Sequence, residues 1–255
     1  MNLSKTNIPL DAPLETNKPL LSIPHYLQMH YWWAYVHPRA VHIFERQWLV
    51  NLILWGNYSR LCNAVLDSYQ HKLQGLTLQI ACAYGDLTPR LANCVTENSR
   101  LEVVDILQVQ LDNLAVKLPQ GASVKLHHMD SSALELSDAS FDQALLFFLL
   151  HEQPEVVRKK TLSEALRVIR PGGTLTIVDY APPNRYNPLR YLWCPLLKLL
   201  EPFSGDLFRK PISTWMLNKG GFTVLSEQRF FGGLFQMLIL QRDENRHGQL
   251  SLLMK

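Results

Sequence analysis

The sequence predicts an α/β fold: a mostly parallel sheet of seven strands with an antiparallel last strand, preceded by a helical extension. Three observations predict it. Short apolar runs alternate with amphipathic stretches from residue 76 onward, the pattern of right-handed βαβ units. The run FDQALLFFLL (141–150) is apolar on both faces, as a strand covered by helices on each side must be. The last two runs, FTVLSEQRFF and LFQMLILQR, are separated by Gly232-Gly233 alone, too short for a parallel crossover.

The elements follow in order. Residues 1–24 carry four prolines and few core residues, and read as a loose arm without the basic-then-apolar order of a secretory signal. Residues 25–72 read as a helical lid. Pro38 suits a first helical position, and Val41, Phe44, Trp48, Leu52 and Trp55 mark one apolar helix face. Trp48 and Trp55 are expected to face the core. Asn57 or Ser59 is expected to cap a second helix through Leu61 and Val65.

Residues 73–242 read as the sheet domain. Its strands are LTLQIAC (76–82), RLEVVDI (100–106), ASVKLHHM, FDQALLFFLL and TLTIVDY, then the final pair. Helices are expected at DLTPRLANCV, with Pro89 near its start, at LQVQLDNLAVKL, and at EVVRKKTLSEALRVI, which Pro171-Gly172-Gly173 stops. An apolar insert at 181–213 carries a helix within 188–202. A short helix, PISTWMLNKG, ends at Gly220-Gly221, and residues 243–255 form a tail.

Composition bounds the function. At 255 residues and 47% hydrophobic, the chain can build one sizeable domain with an extension. Charged residues make up 18%, and the net charge of +3 comes without any Lys/Arg run, which argues against nucleic acid. Cys62, Cys82, Cys94 and Cys194 form no CxxC pair, so they read as free thiols in a reducing compartment. No apolar stretch reaches the 18 or so residues of a membrane span. A cytoplasmic protein, peripheral on the inner face of a membrane, is expected.

Ligands of such sheets sit beyond the carboxyl ends of the strands. The first turn, Ile80-Ala81-Cys82-Ala83-Tyr84-Gly85-Asp86, has small residues that let a ligand approach the backbone. It offers one of the three glycines of a GxGxxG cradle, so a cofactor without phosphates is favoured. Asp105 ends the second strand twenty residues after Gly85, where a carboxylate accepts both hydrogens of a ribose diol; it equally suits a cap for the helix at 107–117. Asp130-Ser131 follows the third strand and could accept from an adenine amino group, with Met129 against the ring, or cap a helix.

LQIACAYGDLTPRLA, EVVD, MDSSALELSDASFDQALL and ALRVIRPGGTLTIVD, in that order, resemble the class I methyltransferase series, a Rossmann-like fold, over about residues 76–240. The resemblance implies S-adenosylmethionine held by Gln79, Ala81, Cys82, Ala83, Tyr84, Gly85, Asp105, Ile106, Met129, Asp130, Ser131 and Phe147. Gln79 stands where the family carries an acidic residue, and Ala81 and Ala83 replace its glycines. More narrowly, the PGG block and the insert resemble quinone methyltransferases. HYWWAYVHPRAVHIFERQWLVNLILWGNYSRL (30–61), with the altered turn, resembles the rhodoquinone-biosynthesis proteins.

That narrower resemblance implies conversion of ubiquinone to rhodoquinone, a quinone of anaerobic respiration. A ring methoxy group is replaced by an amino group, with S-adenosylmethionine as donor and manganese assisting. It implies Tyr84, His151 and Glu152 as catalytic residues and Tyr31, Trp32, Trp33, Tyr35 and Tyr180 against the quinone. Carboxylate and imidazole suit manganese, so His151 and Glu152 after the fourth strand and Asp179 at the end of the fifth are candidate ligands; they equally suit a structural polar residue, a solvated turn carboxylate and a cap. His127-His128 is a weaker pair, since adjacent strand residues face opposite sides. The segment 187–203, flanked by Arg185, Arg190, Lys198, Arg209 and Lys210, suits a tunnel wall, an interfacial helix or a buried core helix. A methyltransferase acting on a quinone or phenol, a non-catalytic binding module and a nicotinamide-dependent reductase are the rival readings.

Overall fold

A computed structural model describes residues 22–32, 46–82, 84–188, 190–216 and 221–244, with backbone alone at 198–200. Trp33, Tyr35 and Ala83, the arm through residue 21 and the tail from 245 lie outside the described residues.

Seven strands form one sheet in the order β3-β2-β1-β4-β5-β7-β6. They are β1 (Leu76–Ile80), β2 (Arg100–Asp105), β3 (Val124–His128), β4 (Phe141–Phe147), β5 (Ile169–Tyr180), β6 (Phe222–Phe230) and β7 (Phe235–Arg242). The pairs β1–β2, β2–β3, β1–β4 and β4–β5 are parallel. β7 runs antiparallel to both β5 and β6. The sheet is therefore mostly parallel with the last strand reversed, as the sequence predicts. The order switches direction at β1 and β4, which opens a crevice beyond their carboxyl ends.

The extension supplies α1 (His25–His30), α2 (Gln47–Ile53) and α3 (Tyr58–Ser68). The connections supply α4 (Leu87–Ala92), α5 (Gln108–Lys117), α6 (Glu155–Val168), α7 (Arg190–Leu200) and α8 (Ser204–Leu207). Leu78, Ile80, Val103, Val104, Leu145 and Leu146 are fully buried in the central strands. Each such side chain stabilises the fold by about 1.5–3 kcal/mol relative to exposure.

Local structure departs from expectation at four places. Trp48 is 62% exposed and Leu52 65%, while Val50 and Leu54 point inward. Among the described residues the predicted face of this segment lies largely in the open, and Val41 and Phe44 lie outside the described residues. Trp55 is half-buried and packs on Trp193 of α7, ring centroids 5.4 Å apart. Asn57 precedes α3 without capping it; its amide donates to the carbonyls of Leu54 and Trp55 and closes the turn behind α2. Pro171-Gly172-Gly173 does not divide helix from strand: α6 ends at Val168 and β5 begins at once at Ile169, with a register shift that Gly172, at φ +80, absorbs. The short segment PISTWMLNKG gives a 3-10 turn at Ile212–Trp215, and residues 217–220 lie outside the described residues.

One contact ties the extension to the sheet. The N-terminus of α4 lacks a side-chain cap from Asp86. The buried hydroxyl of Tyr58 accepts from the backbone N–H of Asp86 (2.7 Å) and of Leu87 (3.0 Å) instead. A Cβ at Gly85, φ +94, would collide with that hydroxyl, so glycine is required there. Tyr58→Phe removes the acceptor of both amides. A cost of about 1–3 kcal/mol is expected for the buried donors, lowering the melting temperature by roughly 2–4 °C per kcal/mol. A thermal melt unchanged from the parent would contradict the assignment.

Candidate active site

A cavity opens at the carboxyl ends of β1, β2 and β4, roofed by α1, α2 and the start of α3. It runs from Asp105 and Ile106 at one end to His151, Tyr180 and Glu201 at the other. Two chemically distinct ends are built from different elements.

At the first end, Asp105 is buried at the tip of β2 and lines the cavity. Its Oδ1 accepts from Leu107 N–H (2.9 Å), and its Oδ2 accepts from Cys82 N–H (3.0 Å) and faces the Cys82 thiol (3.2 Å). Burial raises its pKa, opposed by those backbone donors. The carboxylate thus ties the helix entry to the first turn; Oδ1 keeps one lone pair for a ligand, and on Oδ2 a ligand would displace the weak Cys82 thiol donor. Asp105 supports the entry to α5 without capping its first turn.

Ala81 and Cys82 line the same wall, and Ala81 holds φ +68, a left-handed conformation that costs a non-glycine residue about 1 kcal/mol or more. Tyr84 lines it too, and its hydroxyl accepts from the buried amide of Gln110 (2.9 Å). Ile106, Met129 and Phe147 give apolar surface. Asp130 and Ser131 complete the rim, but no helix follows them: Asp130 Oδ1 closes a turn by accepting from Ser132 N–H (2.8 Å).

Gln79 and Gly85 do not line the cavity. The fully buried Gln79 amide donates to Ala81 O (3.1 Å), so it shapes the turn from within the sheet. Gly85 serves the Tyr58 contact. Together with that hydroxyl on the α4 amides, the turn has no free helix N-terminus to offer a pyrophosphate.

At the second end, a 3-10 turn (Leu150–Glu152) carries His151, which is buried. Its Nδ1 lies 3.0 Å from Asp179 Oδ1 at the tip of β5. A carboxylate only accepts when ionised, so Nδ1–H donates to it. Nε2 faces Glu152 Oε1 at 3.8 Å and Glu201 Oε2 at 3.7 Å. Burial pulls the imidazole pKa down, but Glu201, Asp179 and Glu152 outweigh it and push it up to about 10. Burial raises the carboxyl of Glu201, against the pull of His151.

The Tyr180 hydroxyl donates to Glu201 Oε1 (3.4 Å). Phe148, at φ +53, presses its ring edge-on against His151 and Tyr180, with centroids 5.9 and 5.8 Å away. Tyr180, Phe148, Glu152 and Glu201 all line the cavity.

The three residues expected to hold a metal do not converge on one. Asp179 Oδ2 accepts from Leu150 N–H (2.8 Å), and Oδ1 takes Tyr180 N–H (2.7 Å) and His151 Nδ1. Its oxygens orient the histidine rather than face a cation. Among the described residues no group of three or more His, Cys, Asp or Glu is placed to hold a metal ion. His127 and His128 are engaged apart, with Glu102 (2.7 Å) and with Ile106 O (2.9 Å).

The expected substrate residues divide. Tyr180 is in the wall. Tyr31 is buried within electrostatic reach of Glu152 and Glu201 without lining the cavity, and Trp32 is half-exposed away from it. Pro24, Tyr26 and Leu27 form that roof instead. Sequence reasoning also missed Phe148, Glu201 and Gln110. The apolar run 141–150 could have suggested Phe148; the others sit in helices or loops that nothing in their own spacing ties to the crevice.

Residues 77–173 match a family model described as a methyltransferase domain. A demethylmenaquinone methyltransferase of Bacillus licheniformis is 25% identical over 170 residues, covering 62% of this chain and 72% of that one. An O-methyltransferase family protein from Burkholderia thailandensis superposes with a TM-score of 0.60 at 18% identity, over 82% of this chain and 61% of that one. The 1,6-didemethyltoxoflavin-N1-methyltransferase of the same organism, solved with its substrate and S-adenosylhomocysteine, does so with a TM-score of 0.53 at 20% identity, over 92% and 94%. The fold is that of the Rossmann-like methyltransferases.

Proposed function

With a methyltransferase domain over residues 77–173 as the premise, we propose that this chain is an S-adenosylmethionine-dependent transferase acting on a quinone ring. One observation carries the reading: a single cavity joins a buried carboxylate at the tip of β2 to a buried His151–Asp179 pair at the tip of β5. The first end suits a ribose diol on Asp105 and an adenine between Ile106 and Met129. The first turn lacks what a dinucleotide needs, which disfavours the nicotinamide reading. Bound S-adenosylmethionine would supply the transferred group.

The residues of the chain then divide the work. Tyr180 and Phe148 stack or edge against a flat ring. Asp179 fixes the imidazole so that Nε2–H points at a ring oxygen, where it donates a hydrogen bond and holds a proton. Glu152 and Glu201 keep that imidazole cationic. Tyr84 is the remaining candidate, positioned by Gln110 beside the cofactor.

Quinone specificity is supported by the demethylmenaquinone methyltransferase relatives. Exposed Tyr191, Leu192 and Leu196 of α7, beside Arg185 and Arg190, suit contact with a membrane surface from which a lipid quinone is drawn. No helix among the described residues is long and apolar enough to cross a membrane.

The finer reading is amino transfer to ubiquinone, giving rhodoquinone. Its support is the altered first turn, with the amide of Gln79 folded onto Ala81 O where the family resemblance expects an acid. We assign no step to manganese, because the donor atoms of Asp179 are already taken.

The test is to incubate the protein with S-adenosylmethionine and either ubiquinone or a demethylated naphthoquinone, oxidised and reduced, and weigh the products. A gain of one CH2 marks methyl transfer, and exchange of OCH3 for NH2 marks amino transfer. Calorimetry with S-adenosylmethionine runs alongside; absence of binding would sink the transferase reading altogether.

A further inference from the structure

Arg158 projects from α6 and is wholly buried, yet it does not line the cavity. A buried guanidinium costs several kcal/mol unless its donors are matched. Here Nε donates to Leu150 O (2.8 Å), and Nη2 donates to Gln153 O (2.9 Å) and Phe203 O (3.0 Å). Nη1 lies 3.6 Å from Asp206 Oδ2, and the guanidinium stacks over the Trp215 ring at 4.6 Å. Leu150 and Gln153 flank His151 and Glu152. Phe203 follows Glu201 in the turn after α7, and Asp206 lies next, in α8. One side chain therefore joins two segments far apart in sequence that carry opposite walls of the same site.

We propose that Arg158 is a positioning residue that sets His151 and Glu201 against each other across the cavity. The proposal rests on the reading that the His151 end holds the substrate ring. His151 is faced by Asp179 and Tyr180 from β5, by Glu152 on its own turn and by Glu201 beyond α7. Only Glu201 comes from a separate, late segment of the chain, so only its placement needs a tie. At 3.7 Å, Glu201 Oε2 acts on His151 Nε2 electrostatically without capturing its proton in a hydrogen bond. That leaves Nε2–H for a ligand oxygen. A lysine at 158 would keep the charge but lose the planar fork that reaches three carbonyls at once.

The experiment compares wild type, Arg158→Lys, Glu201→Gln and the double variant. Three readouts are taken: amide hydrogen exchange, the affinity for S-adenosylmethionine, and kcat. In Arg158→Lys, exchange at residues 149–153 and 201–206 should accelerate together by at least about tenfold, as local opening does when a tie is removed. Cofactor affinity should stay within about twofold while kcat falls about tenfold or more. In the Glu201→Gln background the lysine substitution should cost kcat no more than about twofold, because the two act as one unit. Unchanged exchange in either segment, or kcat losses that simply multiply, would overturn the proposal.

Should Arg158→Lys fail to fold, Trp215→Leu, which removes the stacked ring, must accelerate the same two segments; if it does not, the proposal falls. Should the wild type turn over no quinone at all, the functional reading fails, while the exchange data still decide the clamp.

Discussion

Replacing Asp105 with alanine is expected to weaken binding of S-adenosylmethionine at least about a hundredfold. Two charge-assisted hydrogen bonds to a diol, at about 1.5–3 kcal/mol each, set that scale. The same carboxylate also accepts from Cys82 N–H and Leu107 N–H, so its removal strands two buried donors. Stability should therefore fall as well, by about 1–3 kcal/mol for each amide left bare. Asp105→Asn separates the effects: its one carbonyl oxygen can still serve a backbone amide, but it carries no charge and brings two hydrogens toward the diol. Calorimetry on folded protein, checked by circular dichroism, decides the matter. Native affinity in both variants would remove Asp105 from the cofactor site.

The second large effect belongs to His151. In His151→Gln, kcat should drop by about 10²–10⁴, the usual worth of a positioned proton donor, with affinity for S-adenosylmethionine unchanged. The imidazole also leaves a mark on stability. Its folded pKa, pushed up to about 10, lies above the ordinary value of 6.5. Between those values the folded state binds more protons than the unfolded one, so stability must fall as pH rises. The contribution is fully present below about 6.5 and is lost as pH climbs through about 10. Denaturant titrations from pH 6 to 10 should show this decline in the wild type and a flatter profile in His151→Gln. Parallel profiles, or half the native kcat, would refute the cationic donor.

Much of this was legible in the residues. Strand runs give the sheet, because the pattern of apolar residues records which faces of a strand are covered. Asp105, Met129 and Ser131 were readable because strand ends converge on one crevice in such sheets. Other features form only on tertiary closure. Glu201 meets the His151 turn because the insert folds back over it, and no local spacing encodes that return. Trp48 was misjudged because periodicity reports that a helix has an apolar face, not what lies against it. Gln79 shapes the first turn from within the sheet because a side chain at a strand end can turn back onto its own chain.

The Tyr58 hydroxyl on the α4 amides has a consequence for anyone dividing this molecule. The extension cannot be trimmed away as an accessory: a fragment begun near residue 72 would leave the first loop of the crevice without its keystone. Extension and sheet should accordingly melt in one cooperative step, and swapping in another protein's N-terminal helices would import a different crevice along with them.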